Sequence, residues 1–230
     1  MKTKKFLFYL LAALLGGCVP VMSLHPLYTE KDLVFEEKLL GTWGDDPNDP
    51  EITWDFQRSD MSKKGAEKTY NLTLTLIAKE DNEEDKKAGS FDVHLVKLKD
   101  RFFLDIYPNK FPCEEQDWEK MEWPYNAFFA VSVHTFIKVD SFEPHLRMRL
   151  TDDEDMNKLL EENPGAVEHA SIEDTLVLTA STKELQAFVL KYADDSRLFT
   201  KETVLSRKKA KAPTDPNKTD PNCIDPNEQQ

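Results

Sequence analysis

Five histidines and three cysteines are the side chains of this 230-residue chain that are best suited to bind a metal ion. Zinc sites usually show closely spaced ligands, such as two histidines four residues apart or a C-x-x-C pair. Neither spacing occurs here, so no metal site and no cofactor are expected, and the histidines are interpreted as polar-face or hydrogen-bonded residues. His94 and His134 lie within predicted strands and would meet only if those strands are neighbours.

Acidic residues are abundant, but their positions do not indicate hydrolytic chemistry. A catalytic carboxylate pair needs one partly buried member with a raised pKa. The acidic clusters lie instead at predicted helix starts and in loops, where solvation and the helix dipole account for them. They comprise residues 83–85, 152–155, 161–162 and 194–195. Because the Gly-x-Ser-x-Gly elbow of many serine hydrolases is also missing, we expect no enzymatic activity and no catalytic residues.

The overall charge bears on the class of partner. The chain has 43 Asp and Glu against 30 Lys and Arg, and its formal net charge is −13. A nucleic-acid-binding protein needs a basic face opposite the phosphates, so this balance argues against such a partner. The 14 Phe, 6 Tyr and 4 Trp supply enough aromatic bulk for a core and argue against wholesale disorder.

The N-terminus has the features of a leader. A basic stretch precedes an apolar run over residues 6–15, which has the length of a signal-peptide core and is too short to span a bilayer. The sequence Leu-Gly-Gly-Cys follows at residues 15–18 and resembles the lipobox of bacterial lipoproteins at all four positions. The alternative is an ordinary secretory signal followed by an incidental cysteine.

The lipobox resemblance implies that residues 1–17 are a signal peptide and that Cys18 becomes the acylated N-terminus, with palmitate-like chains. Two or more acyl chains give stable membrane anchoring. The protein is then expected in the bacterial cell envelope, facing the periplasm or the cell surface. In Gram-negative lipoproteins an Asp after the cysteine retains the protein at the inner membrane, so Val19 favours the outer membrane where one exists.

Composition divides the mature chain into three parts. Residues 18–30 are polar and contain two prolines, so they are interpreted as a tether from which Leu24, Leu27 and Tyr28 could dock on the domain. Residues 31–211 form one domain of ordinary size. Residues 212–230 contain three Asp-Pro-Asn repeats and few large apolar side chains, which predicts a disordered tail.

Alternation of apolar and polar residues dominates the domain and predicts an antiparallel sheet. The clearest stretches are residues 52–56, 70–76, 91–95, 102–106, 129–139, 146–150, 176–178 and 203–206. Short strands in this number, joined by short charged connections, indicate a sandwich or a barrel.

Two amphipathic helices interrupt the strands and are expected to pack outside the sheet. The first begins at a capping box formed by Thr151 and Glu154, and the second at one formed by Ser181 and Glu184. Their apolar faces consist of Met156, Leu159 and Leu160 in the first helix and of Leu185, Phe188, Val189 and Tyr192 in the second.

The tripeptide Gly41-Thr42-Trp43 begins the first strand and resembles the Gly-x-Trp motif of lipocalin-like (calycin) barrels. This resemblance implies a mainly β fold, namely a partly closed antiparallel β-barrel whose closed end is plugged by the Trp43 ring. It also implies an arginine from the final strand lying over that ring, and Arg207 is the candidate. The two helices between strands depart from the lipocalin pattern, and the alternative is a core Trp in another β fold.

Two further features lie outside these motifs. Cys113 and Cys223 remain after Cys18 is used, and they either pair or stay free. Residues 112–125 are acidic and aromatic and join two predicted strands. This segment is either a lid or partner-binding loop, or a short helix that covers the end of the core.

Two functions remain compatible with these features. The first is a non-enzymatic binding module for a small apolar ligand or lipid, and the alternative is an envelope protein that interacts with or assembles other envelope proteins. A filled barrel and an empty one have the same alternation, so the sequence cannot separate the two. A cavity of about 300 Å³ or more favours the binding module.

Overall fold

The computed structural model describes residues 20–59, 66–80, 83–108, 131–172 and 175–208. These ranges contain twelve β-strands and two α-helices. The strands are β1 (Met22–Ser23), β2 (Leu33–Val34), β3 (Gly41–Gly44), β4 (Ile52–Arg58), β5 (Thr69–Glu80), β6 (Glu83–Leu98), β7 (Arg101–Pro108), β8 (Thr135–Ser141), β9 (His145–Leu150), β10 (His169–Ile172), β11 (Thr175–Leu178) and β12 (Lys201–Arg207). The helices are α1 (Asp153–Glu162) and α2 (Thr182–Tyr192).

Eight antiparallel strands close into a barrel in the order β3-β4-β5-β6-β7-β8-β9-β12. Strands β3 to β9 pair in chain order, and β12 returns after the helices to lie between β9 and β3. Two pairs complete the ring, Ser206 with Gly44 and Arg207 with Trp43. The predicted lipocalin-like antiparallel barrel is confirmed, and its ring is fully closed.

The barrel interior is lined by one face of each strand, as the alternation predicted. Along β6, for example, Val93 and Leu95 belong to the interior cluster, whereas Val96 is buried against a different cluster outside. The fully buried members of the interior cluster include Leu39, Trp43, Phe56, Tyr70, Leu72, Val93, Leu95, Leu104, Leu146, Met148 and Leu205. This cluster is the first of two cores.

The second core lies between the outer barrel wall and a layer of helices and short strands. The layer contains α1, α2 and a three-stranded sheet in the order β1-β11-β10. Phe103 of β7 faces this core, and its ring centre lies 5.7 Å from that of Phe199. Because Leu104 of the same strand faces the barrel interior, β7 is buried on both sides. The predicted packing of both helices outside the barrel is therefore confirmed.

The helix starts agree with the prediction in one case and differ in the other. Helix α2 begins at the predicted capping box of Ser181 and Glu184. Helix α1 begins one residue later than predicted, because Asp152 is its N-cap and accepts the amide hydrogen of Asp155 at 3.1 Å. The Thr151 hydroxyl is used elsewhere, since it accepts the Val21 amide hydrogen at 3.2 Å.

The tether was predicted over residues 18–30; its described part, residues 20–30, belongs to the folded body. Val21 and Leu27 are completely buried, and Met22–Ser23 pairs in parallel with β11. A two-residue strand has no periodicity, which explains why the polar, proline-containing stretch indicated a tether. Leu27 docks on the domain as expected, whereas Leu24 is 44% exposed.

Strand β8 begins later than the strand predicted over residues 129–139. Val131 is 71% exposed, and His134 forms an isolated antiparallel bridge with Ser23. The backbone amide of each donates to the carbonyl of the other at 2.8 Å. His134 therefore pairs with the N-terminal segment immediately before β8 begins at Thr135.

Candidate functional site

One end of the barrel is sealed by Trp43 and Arg207. The Trp43 ring is completely buried, and its Nε1 donates to the Leu39 carbonyl at 2.9 Å. The Arg207 guanidinium carbon lies 4.2 Å from the centre of the ring. Its two terminal nitrogens donate to the carbonyls of Leu40 and Lys38, each at 2.6 Å. The guanidinium therefore joins the ring to the 3-10 turn that precedes β3.

Gly41 makes this close approach possible. Its φ is +109°, a conformation that favours glycine, and a Cβ at this position would lie 2.8 Å from an Arg207 side-chain nitrogen. The structure thus brings Gly41, Trp43 and Arg207 together in the arrangement that the lipocalin-like resemblance implies.

An apolar cavity lies toward the opposite end of the barrel. Leu150 in the cavity wall pairs with Lys201 at the start of β12, whereas Arg207 ends that strand about 20 Å away at 3.3 Å per residue. The inner cavity has a volume of about 150 Å³. It is lined by Pro20, Trp54, Leu72, Leu74, Phe91, Ile106, Thr135, Phe136, Ile137, Leu150 and Thr151.

A wider cleft of about 300 Å³ adjoins the inner cavity. It shares Trp54, Leu74 and Leu150 with that cavity and extends to Asp45, Ile52, Leu76 and residues 201–205. The cleft exists because β3 has only four residues, so that β12 pairs with it at Ser206 and Arg207 alone. Residues 201–205 pair with β9 on their other side, and the wall beside them opens to the interior.

The lining of the inner cavity is apolar. Its inner wall consists of aliphatic and aromatic side chains and two threonines. The Thr135 hydroxyl has no hydrogen-bond partner within the described ranges, but it is buried in the wall, and the accessible surface of the inner cavity is wholly apolar. Charged side chains appear at the wider cleft, where Asp45, Lys201 and Glu202 form part of the lining. This arrangement suits a molecule with an apolar body and a polar end.

A second group of polar residues lies outside the barrel, around Asp105 of β7. The carboxylate is completely buried and binds His134 Nδ1 at 2.6 Å through one oxygen. The other oxygen accepts the Leu27 amide hydrogen at 2.7 Å. His94 pairs with Asp105 across β6 and β7, so the two histidines flank β7 and do not lie on neighbouring strands. We call Asp105, His94, His134, Tyr28 and Tyr107 the Asp105 cluster.

Burial sets the protonation of two members of the Asp105 cluster. It lowers the pKa of His94, whose Nε2 lies 3.1 Å from the Thr69 hydroxyl. It raises the pKa of Tyr28 to about 12, and the Asp105 charge adds to that increase. Both groups are therefore neutral at pH 7. Their ring centres lie 4.4 Å apart, and they pack as aromatic rings.

The Asp105 cluster does not resemble a hydrolytic triad. Ser23 is the hydroxyl residue paired with His134, but its Oγ donates to the His25 carbonyl at 2.8 Å. No group of three or more metal-ligating side chains occurs within the described ranges. The geometry indicates instead that Asp105 holds the N-terminal segment against the barrel through the Leu27 amide.

Sequence reasoning missed the role of Asp105. Asp105 alternates with the inward-facing residues of β7, so the alternation predicts that it lies on the polar face. Phe103 and Tyr107 share that face, and such large aromatic neighbours could have indicated that it is covered. A single carboxylate between two aromatic residues is the signal that was available.

Several predicted features lie outside the described residues. They are the leader over residues 1–17, the lipid attachment residue Cys18, the segment 112–125 with Cys113, and the tail 212–230 with Cys223. In the part of the chain that is described, no helix has the length and apolarity needed to cross a bilayer. Comparisons with protein-family models, with curated proteins and with solved structures each find no match to this chain.

Proposed function

We propose that this protein is a lipid-anchored lipoprotein of the bacterial envelope whose barrel binds a small apolar molecule or lipid. It acts as a binding protein and not as an enzyme. The observation that carries the proposal is the apolar cavity that opens away from the end sealed by Trp43 and Arg207. A barrel with one sealed end and one open end is suited to hold a ligand.

The size and lining of the cavity support an apolar ligand. The wider cleft reaches the lower limit of about 300 Å³ for pockets that bind small molecules. Transfer of one methylene group from water to such a site contributes ~0.8 kcal/mol. A ligand with a few methylene groups inside the barrel therefore gains several kcal/mol from burial alone.

Anchoring is supported by the sequence before the barrel. Cys18 stands at the end of the lipobox. The next residue is Val19 and not Asp, which favours the outer membrane where the organism has one. Substitution of Cys18 by Ser should abolish incorporation of radiolabelled palmitate and leave the precursor uncleaved. A lipid-free mature protein that begins at another residue would contradict the anchoring proposal.

Ligand binding is tested by titrating the purified protein with a fluorescent fatty acid whose emission rises in an apolar site. We expect one saturable site in the wild type and binding weakened about tenfold or more in Leu74→Trp, because the larger ring fills space shared by both cavities. Ile172→Trp is the matched control, since Ile172 is 59% exposed on β10 and should bind normally. Equal binding by all three proteins would place the ligand outside the barrel.

A further inference from the structure

One residue in the wall of the inner cavity is close in sequence to Cys18, the proposed site of lipid attachment. Pro20 lines this cavity together with Phe136 and Thr151. Cys18 is two residues before Pro20, and two residues span at most about 7 Å at 3.6 Å per residue. The point of attachment is therefore within about 7 Å of a residue in the cavity wall.

The residues after Pro20 are bonded to the domain, so they do not act as a linker that would let the domain move away from Cys18. The completely buried Val21 donates its amide hydrogen to the Thr151 hydroxyl, beside the cavity. The backbone amides of Ser23 and His134 each donate to the carbonyl of the other at 2.8 Å, and Met22–Ser23 pairs with β11. Further on, the Pro26 carbonyl accepts the Thr182 hydroxyl at 2.8 Å. The segment from residue 20 onward is therefore fixed to the barrel and to α2.

We infer that the open end of the barrel lies at the surface of the membrane in which Cys18 is anchored, and that its ligand is an acyl chain of a phospholipid from that membrane. The inference rests on the proposed function, because it requires both the acylated cysteine and an apolar ligand. An acyl chain fits the site, since its methylene groups match the apolar wall of the inner cavity and its polar end can lie at the wider cleft, whose lining includes Lys201.

The charge around the cleft selects among phospholipids. The turn after β3 carries Asp45, Asp46, Asp49 and Glu51, and Glu202 in the cleft lining is paired with Arg147 at 3.0 Å. Lys201 is a cation in the same lining. The excess of carboxylates repels an anionic membrane surface, so the site takes lipid from a zwitterionic bilayer more readily than from an anionic one.

The test uses the lipidated mature protein in phosphatidylcholine vesicles that contain a small fraction of phosphatidylcholine with a photoreactive diazirine on one acyl chain. After illumination, mass spectrometry should locate the crosslinks on peptides that contain Trp54, Leu74 or Phe91, which line the inner cavity. Leu74→Trp should lose these crosslinks and Ile172→Trp should keep them. Replacement of half the lipid by phosphatidylglycerol should lower the yield at low salt, and 1 M salt should restore it because the Debye length falls to about 3 Å.

An insertion variant separates this inference from the proposed function. Twelve Gly and Ser residues between Val19 and Pro20 keep both the anchor and the barrel but add a flexible linker of about 20 Å. Cavity crosslinking should fall about tenfold, because the local concentration of bilayer at the opening decreases steeply with linker length. Binding of the soluble fluorescent fatty acid should not change.

The outcomes are distinguishable. If the insertion variant crosslinks as efficiently as the wild type, or if crosslinks lie only on outer-face peptides, the inferred orientation is overturned and the binding proposal stands. If neither protein binds the soluble fatty acid, the proposed function itself is overturned.

Discussion

The guanidinium carbon of Arg207 lies 4.2 Å from the centre of the Trp43 ring, at the point where β12 meets β3. These two residues are 164 positions apart in the chain and pair directly across the strands that complete the barrel. The contact therefore joins the first and last strands of the ring and seals one end of the interior. The proposed binding site at the opposite end depends on this seal.

Removal of the seal should be costly. Trp43→Ala should lower the free energy of unfolding by about 3 to 5 kcal/mol, the usual cost of deleting a large buried aromatic side chain. Arg207→Ala should cost about 1 to 3 kcal/mol, since it removes the ring contact and two hydrogen bonds to carbonyls. In a double-mutant cycle measured by urea denaturation the two effects should couple.

Arg147→Ala, which loses an exposed ion pair with Glu202, is the control and should cost less than about 1 kcal/mol. Additive effects of Trp43→Ala and Arg207→Ala would contradict the contact.

Gly41 should tolerate substitution worse than Gly165. Both residues have positive φ, but a Cβ on Gly41 would lie 2.8 Å from an Arg207 nitrogen, whereas a Cβ on Gly165 would meet nothing within 4 Å. Gly165→Ala should lower the free energy of unfolding by about 1 kcal/mol, because only the positive φ is unfavourable for alanine there. Gly41→Ala should cost at least about 1 kcal/mol more, because Arg207 must shift from the Trp43 ring. Thermal unfolding of the two variants measures the difference, and equal costs would show that Arg207 moves freely.

Asp105 should control how firmly the N-terminal segment is held. In Asp105→Ala the Leu27 amide and His134 Nδ1 lose their shared acceptor, so we expect a loss of about 2 to 4 kcal/mol. Hydrogen exchange of the Leu27 amide should accelerate more than that of barrel amides such as Val93, because the segment opens first. Asp140→Ala is the control, since its ion pairs within the described ranges are with Arg149 and Lys138. Exchange of the Leu27 amide at the wild-type rate in Asp105→Ala would remove the proposed holding role.

Stability should fall in mild acid through His94. Burial lowers the pKa of His94 in the folded state, so below about pH 6.5 the unfolded chain binds a proton that the folded protein resists. Asp105 and Asp92 partly oppose this effect, and His134 adds to it. The free energy of unfolding should therefore be level above pH 6.5 and decrease as the pH falls below it. His94→Gln should flatten that decrease relative to the wild type, with His169→Gln on the exposed end of β10 as the control. An unchanged slope in His94→Gln would assign the acid sensitivity to other groups.

Much of the barrel could be predicted from the sequence because its strands face two different environments. On β9, Leu146, Met148 and Leu150 point into the interior while the residues between them face outward, so period-two alternation is clear. The N-terminal segment could not be predicted in this way, since β1 and β2 have two residues each and carry no period.

The candidate site was predictable at one end only. The sealed end has a sequence motif, and Gly41, Trp43 and Arg207 could be named before the structure. The open end depends on β3 ending at Gly44 and on Pro20 lying beside Thr151, and neither follows from residue types. Pairing of strands and the path of the N-terminal segment determine where the wall opens, so the cavity could be found only in the folded chain.

Native mass spectrometry of the protein purified from its own membranes can show whether the barrel holds an apolar ligand in the cell. We expect one non-covalent adduct per chain with the mass of a lipid or a similarly apolar molecule. The adduct should be present in the wild type and in Ile172→Trp and missing in Leu74→Trp. An adduct-free wild-type protein, or an adduct retained equally in Leu74→Trp, would contradict the claim.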